Sequence, residues 1–163
     1  MTAILAALSD HPVSHFAAGE IVLEQGDRTG LLYVLIEGKV EVTKDGVTVA
    51  TASEPGATFG DQAALLGIPH TAAVRAIQTS SFHVVSDPRT FLQENPPVCL
   101  HLCELLARRL DGVNKYLTDV KQQFAGHDHL AMVDGVLDTL MHRQPRQRIA
   151  PRNSSLREPE IPD

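Results

Sequence analysis

One stretch constrains the fold more than any other. In GATFGDQAALLGIPHTAAVRA, residues 56–76, a short run of helix formers interrupts a chain that otherwise reads as strands. Gly56 and Gly60 lead into the run at 61–66, and Gly67 and Pro69 break it. Residues 70–76, rich in Thr, Val and Ala, are expected to leave the broken helix directly as a strand. A helix inserted between strands has two uses. It can close one end of a β barrel, or it can offer an anion the unpaired N–H groups and positive dipole end of its first turn. At Gly60 the missing side chain would let the backbone approach such an anion. This stretch alone supports both uses.

The flanking sequence sets the class. IVLE (21–24) stops at Gly26-Asp27, LLYVLIE (31–37) at Gly38, and VEVT (40–43) turns at Asp45-Gly46 into VTVATA (47–52). Asp-Gly between two alternating runs is a strong hairpin signal. TAAVRAI (71–77) and SFHVVS (81–86) follow the insert. Many short strands separated by turns predict an antiparallel sandwich or barrel within residues 13–86. Before them, TAILAAL (2–8) is a marginal helix that must dock to persist. After them, Asp87 is placed to cap a helix with Pro88 in its first position.

Pro96-Pro97 opens a longer helix. Its apolar residues Cys99, Cys103, Leu106, Leu110, Val113, Leu117, Val120 and Phe124 recur at alternating spacings of four and three. A small barrel cannot cover that seam along its whole length. The outer half is therefore expected to meet a second copy, forming a homodimer interface from Cys103, Leu106, Leu110, Val113, Leu117, Val120 and Phe124. A further amphipathic helix at 125–142, with Leu130, Val133, Leu137 and Leu140, offers a second cover for the same seam. The expected organisation is a domain at 1–124 including the long helix, the additional helix at 125–142, and a disordered Pro- and Arg-rich tail at 143–163.

Charge narrows the function. The chain carries −6 overall, and residues 143–163 hold five Arg against Glu158, Glu160 and Asp163, a local +2 that leaves −8 for residues 1–142. An acidic folded part argues against a nucleic-acid surface. Cys99 and Cys103, four apart in an apolar run, suit one helical face and not a disulfide framework, which predicts a reducing, cytoplasmic setting. Neither a secretory apolar region nor a run of about 20 apolar residues is present, so no membrane association is expected. No Ser, Cys or Lys has the context of a catalytic nucleophile. His15 and His83 are isolated on strands, and His127-Asp128-His129 reads as a helix cap. Neither an enzyme nor a metal site is expected.

EQGDRTGLLYVLIEGKVEV (24–42), PGATFGDQAALLGIPHTAAVRA (55–76) and LLARRLDGVNKYL (105–117) together resemble the cyclic-nucleotide-binding domain of the catabolite activator protein (cAMP receptor) superfamily. The most specific elements are the Gly-Asp turn followed by Tyr33 and Gly38, the Phe59-Gly60 pair, and the Ala-Arg-Arg-Leu of the long helix. The resemblance implies a mainly β double-stranded β-helix jelly roll with an N-terminal helix, an inserted phosphate-cassette helix and a long C-terminal dimerisation helix. It also implies ligand contacts from Gly60, Asp61, Gln62, Ala63, His70, Thr71 and Ala72, with Val113 and Asn114 of the long helix over the base.

Two positions depart from the family pattern. Where the family has a Glu for the ribose 2′-hydroxyl and an Arg for the cyclic phosphate, this chain has Asp61 and His70. Asp is one methylene short. An imidazole offers positive charge only when protonated, is mostly neutral at pH 7, and lacks the bidentate fork of a guanidinium. A lost charge-assisted bond costs about 1.5–3 kcal/mol, or about 10- to 150-fold in affinity. Arg75 lies five residues on and, in a strand, faces the other way. Three outcomes stay open at this point: a cyclic nucleotide (cAMP or cGMP), another small anion or an apolar ligand, and an empty structural cassette.

Regulators of this superfamily continue into a helix-turn-helix module, for which the Pro-rich residues 143–163 are too few. The expected function is a regulatory sensor without its own DNA-binding output, acting through a protein partner. The competing class is a dimeric interaction scaffold that keeps only the fold. The seam supplies the first prediction: Leu110→Asp with Leu117→Asp converts a dimer into monomers. Light scattering checks it, and an unmodified protein that is monomeric at micromolar concentration contradicts it.

Overall fold

The computed structural model describes residues 3–123, together with 135, 136 and 140. Its elements in chain order are α1 (Ala3–Ala7), β1 (Val13–Phe16), β2 (Ile21–Leu23), β3 (Leu32–Glu37), β4 (Val40–Lys44), β5 (Val47–Ala52), β6 (Thr58–Phe59), α2 (Asp61–Leu66), β7 (Ala73–Ala76), β8 (Ser80–Val85), α3 (Pro88–Glu94) and α4 (Pro96–Gln123). The chain divides into a compact unit up to Ala107 and a second from Arg108 on. Phe124, the 127–129 triplet, most of the expected helix at 125–142 and the whole 143–163 tail lie outside the described residues.

The strands form two antiparallel four-stranded sheets, β1-β8-β3-β6 and β2-β7-β4-β5, the jelly-roll arrangement. β3 explains the division of labour. Its continuous apolar run, Leu32 to Ile36, has residues buried on both faces, as expected of a strand covered on two sides. Leu32 and Val34 join Ile4 of α1, Leu8 just after it, Val85 of β8, Phe91 and Leu92 of α3, and Val98 and Leu102 of α4 in one core. Tyr33 and Leu35 point the other way, into a core with Val22, Leu23, Val40, Phe59, Val74, Ala76 and Phe82. The α1 segment, too short to persist alone, is held because Ile4 and Leu8 are buried there. β5, by contrast, is solvent-facing along nearly its whole length, which is why VTVATA alternates with polar residues and LLYVLI does not.

Aromatics are scarce but concentrated. Phe82 receives Phe16, Tyr33 and Phe59 in edge-to-face contacts at 5.6, 6.1 and 6.1 Å, an arrangement that adds about 0.5–1.5 kcal/mol per pair beyond area burial. Burial pushes the Tyr33 phenol above its ordinary pKa. The expected cap is present: the Asp87 carboxylate accepts from the Thr90 hydroxyl at 2.7 Å and the Thr90 N–H at 3.2 Å, with Pro88 opening α3. Those bonds from Thr90 hold the Asp87 carboxyl below its ordinary pKa. The cap's contribution is therefore present above the unfolded-state value and is lost as pH falls through the lower folded one.

The structure extends the expected strand set. β1 and β6 did not stand out in the sequence, because four residues and two residues carry too short a period to read. β7 begins at Ala73, so His70 to Ala72 form a loop and the strand does not leave the helix directly. In the second unit, Leu110 and Val113 are 43% and 49% exposed, and Leu117 and Val120 are half-buried. In the first unit, Cys99 and Leu106 already pack against the helical core.

Two glycines give a contrasting prediction. Gly38 has φ +109°, and an added Cβ would lie 2.6 Å from the Ser80 Cα, so Gly38→Ala destabilises the fold by several kcal/mol. Gly112 sits within α4 with open space around it, so Gly112→Ala stabilises by about 0.5–1 kcal/mol. Urea unfolding of both variants checks the opposite signs.

Candidate functional site

The site begins with a backbone geometry. Gly60 precedes α2 at φ 82°, ψ 2°, and Gly67 closes it at φ 65°, donating its N–H to the Ala63 carbonyl. The two glycines thus bound a helix of 6 residues, in agreement with the expected 61–66. A Cβ on Gly60 would stand 2.5 Å from the Leu31 carbonyl oxygen and 3.3 Å from His70 Cε1. The bareness of Gly60 is therefore used by the protein itself, for the approach of its own chain and of the His70 ring.

His70 is fixed at three points. Its carbonyl accepts from the Gly26 N–H at 2.9 Å, its N–H donates to the Asp27 carbonyl at 2.8 Å, and its Nε2 lies 2.6 Å from the Thr29 hydroxyl oxygen. The Thr29 oxygen also accepts from the Leu31 N–H at 3.3 Å. The loop between β2 and β3 thereby clasps the loop between α2 and β7. A hydroxyl suits both protonation states of the ring: it donates to a neutral Nε2 and accepts from an imidazolium N–H. His70 is 3% exposed.

Asp61 is 5% exposed and opens the first turn of α2, where the helix dipole favours a carboxylate. No side chain of Gly60 caps that turn. Ala63 is buried behind it, Gln62 is exposed, and Thr71 donates its hydroxyl to Gln62 Oε1 at 3.2 Å, which ties the two sides of the cassette together. Ala72 is half-buried. Gly60, Asp61, Gln62, Ala63, His70 and Thr71 are thus gathered around one helix start. Val113 and Asn114 lie on α4 in the second unit.

Arg75 is on the outer face of β7, where its guanidinium donates to Glu41 of β4, its Nε at 2.8 Å, as the cross-strand register of the two residues requires. Its absence from the cassette holds even though the loop at 70–72 removes the strand argument for it. Sequence reasoning missed four contributors: Asp27, Thr29, Leu31 and Arg89, whose Nη2 donates to the Leu65 carbonyl near the end of α2 at 3.0 Å. The Gly26-Asp27 turn was the available signal for the first, since a turn followed by a buried strand must pack against something. Among the described residues, no helix is long and apolar enough to cross a membrane.

Comparisons place this geometry. Residues 13–93 match the model of the cyclic nucleotide-binding domain family. A cAMP-dependent protein kinase regulatory subunit of Yarrowia lipolytica is 41% identical over 61 residues, 37% of this chain and 16% of the relative. The chain therefore spans well under a quarter of that curated relative. Among solved structures, the catabolite activator protein of Thermus thermophilus superposes with a TM-score of 0.61 at 24% identity, covering 86% of this chain and 81% of the other. The N-terminal domain of a transcriptional regulator from Streptomyces coelicolor does so with a TM-score of 0.51 at 26% identity, covering 71% and 88%. Fold and matched residues together define the class, a domain of the cyclic nucleotide-binding type. Over residues 13–93 the chain is similar to the cyclic nucleotide-binding domain family, and its fold is that of the catabolite activator protein.

Thr29→Val removes the hydroxyl while keeping the side chain's shape, leaving the buried His70 Nε2 without that partner. The expected cost is about 1–3 kcal/mol. Chemical denaturation measures it, and a variant as stable as the parent would show that the Thr29 hydroxyl contributes nothing at His70.

Proposed function

We propose that the chain is a regulatory small-ligand sensor module of the cyclic-nucleotide-binding type whose phosphate-binding cassette is altered at two positions. It acts as a homodimer through α4 and transmits to a protein partner. One observation carries this reading: the His70 imidazole lies against Gly60 at the start of α2, the position at which the family resemblance puts the phosphate-binding Arg. Asp61, in the ribose position, is buried beside the same turn. The ligand class is a small anion, with cAMP or cGMP the first candidates because a relative is named a cAMP-dependent kinase regulatory subunit. Gly60, the amides of Asp61 to Ala63, Thr71 and Ala72 supply the neutral part of the cradle, and His70 the charge.

The rival reading, a dimeric scaffold that senses nothing, has its own support. His70 and Asp61 are both buried, and Thr29 already satisfies the imidazole. Under that reading the slot is closed by its own side chains. The exposed Leu110 and Val113 of α4 support a dimer under either reading.

The two readings separate by calorimetry. If an anion binds, the parent holds it more weakly than a variant with a guanidinium at position 70, because an imidazole lacks the permanent charge and bidentate fork of an arginine. His70→Arg with Asp61→Glu then strengthens cAMP or cGMP binding by about 10- to 150-fold, the value of one charge-assisted bond. Failure of both the parent and the double variant to bind shows that the slot is blocked by something other than these two side chains, as the scaffold reading expects. Nanomolar binding by the parent that His70→Arg leaves unchanged removes His70 from the phosphate position.

A further inference from the structure

The first turns of α4 carry a feature outside the cassette. Cys99 and Cys103 are both free thiols, four residues apart on one helix. That spacing puts their Cβ atoms about 5–6 Å apart on the same face. Cys99 is half-buried against the helical core, next to Val98 and Leu102, while Cys103 is exposed. The inner sulfur is thus fixed by packing and the outer one reaches solvent. Burial first, and then the charge and hydrogen bond of the neighbouring Cys103 sulfur, push the Cys99 thiol above its ordinary pKa.

We propose that Cys99 and Cys103 form a dithiol site that chelates a thiophilic trivalent arsenical. The donor set decides the class. Among the described residues no three His, Cys, Asp or Glu side chains group to hold a metal ion, so the four protein ligands of a structural zinc site are not supplied. A monosubstituted trivalent arsenical needs only two sulfurs, because its third bond is to its own organic group. The reaction is a condensation without redox change. Two As–S bonds form, two S–H bonds break, and the arsenic-bound oxygen leaves as water with both protons. A half-buried Cys99 is suited to this, since its thiol surrenders a proton in the second, intramolecular step, when the first As–S bond already holds the arsenic beside it.

The site lies at the inner end of the apolar seam of α4, where Cys103 is also an expected dimer contact, so the probe and a second copy compete for that sulfur. Cys99 shares its core with Leu65 of α2.

The test uses the full chain, fully reduced, with phenylarsine oxide as the probe and intact mass as the readout. The expected result is one phenylarsenic group per chain in place of two thiol hydrogens, removed by a dithiol competitor but not by an equal concentration of a monothiol. Cys103→Ser, at an exposed position, and Cys99→Ser each lower the affinity by about 100-fold or more, because the second bond is then no longer intramolecular. Circular dichroism confirms that Cys103→Ser is folded. Three results overturn the proposal. One is a reduced parent in which both thiols react with a monofunctional reagent but no phenylarsine oxide is retained. Another is a single-cysteine variant that retains the probe as tightly as the parent. The third is a stoichiometry of one probe per two chains, which would place the second sulfur on another copy.

Discussion

The pairing of β3 with β8 is the interaction on which the rest of this structure depends. The two strands are held in register from Leu32 opposite Val85 to Glu37 opposite Ser81. Between them they face two cores at once, because alternate side chains of β3 serve the helical side and the inter-sheet side. Phe82 on β8 gathers Phe16, Tyr33 and Phe59, so that four of the seven Phe and Tyr residues stabilise this one junction. Removing apolar surface from water at roughly 25 cal/mol per Å² rewards such double use of one strand. It also leaves little tolerance for change, since packing on either face constrains the other.

The candidate site is attached to that junction at its N-terminal edge. Leu31, immediately before β3, supplies the carbonyl that approaches Gly60, and Thr29, two residues earlier, supplies the hydroxyl that meets His70. The cassette is therefore positioned by the buried strand through a few polar contacts, and not by a hydrophobic pocket of its own. In such an arrangement a histidine changes the chemistry without changing the fold. The ring fills the place beside Gly60, and its backbone is held by Gly26 and Asp27. An arginine there would carry a permanent charge and a longer reach.

Where sequence reading succeeded and failed follows from the range of the interactions involved. α2, its two glycines, the Asp87 cap, the Asp45-Gly46 turn and the start of α4 were all legible, because each depends on contacts within four or five residues. β1 and β6 were not, since a strand of two to four residues is defined by its partner. The loop at His70 to Ala72 was read as strand because its composition favours one, whereas hydrogen bonds from Gly26 and Asp27, more than 40 positions away, hold it out of the sheet. Thr29 as a partner of His70 had no sequence signal: a threonine in a turn is common, and its role came only from the approach of the two loops.

The sequence by itself determined the class of fold, the place of the inserted helix, the amphipathic seam of α4 and the presence of Asp61 and His70 on either side of that helix. These are matters of residue identity and local period, which no packing can alter. Only the tertiary structure decided that Gly60 is bare because Leu31 and His70 crowd it, that Asp61 and His70 are buried, and that Arg75 is committed to Glu41. Those are distances between segments far apart in the chain. They are set by the cores on the two faces of β3, where apolar burial outweighs the preferences of any single loop residue.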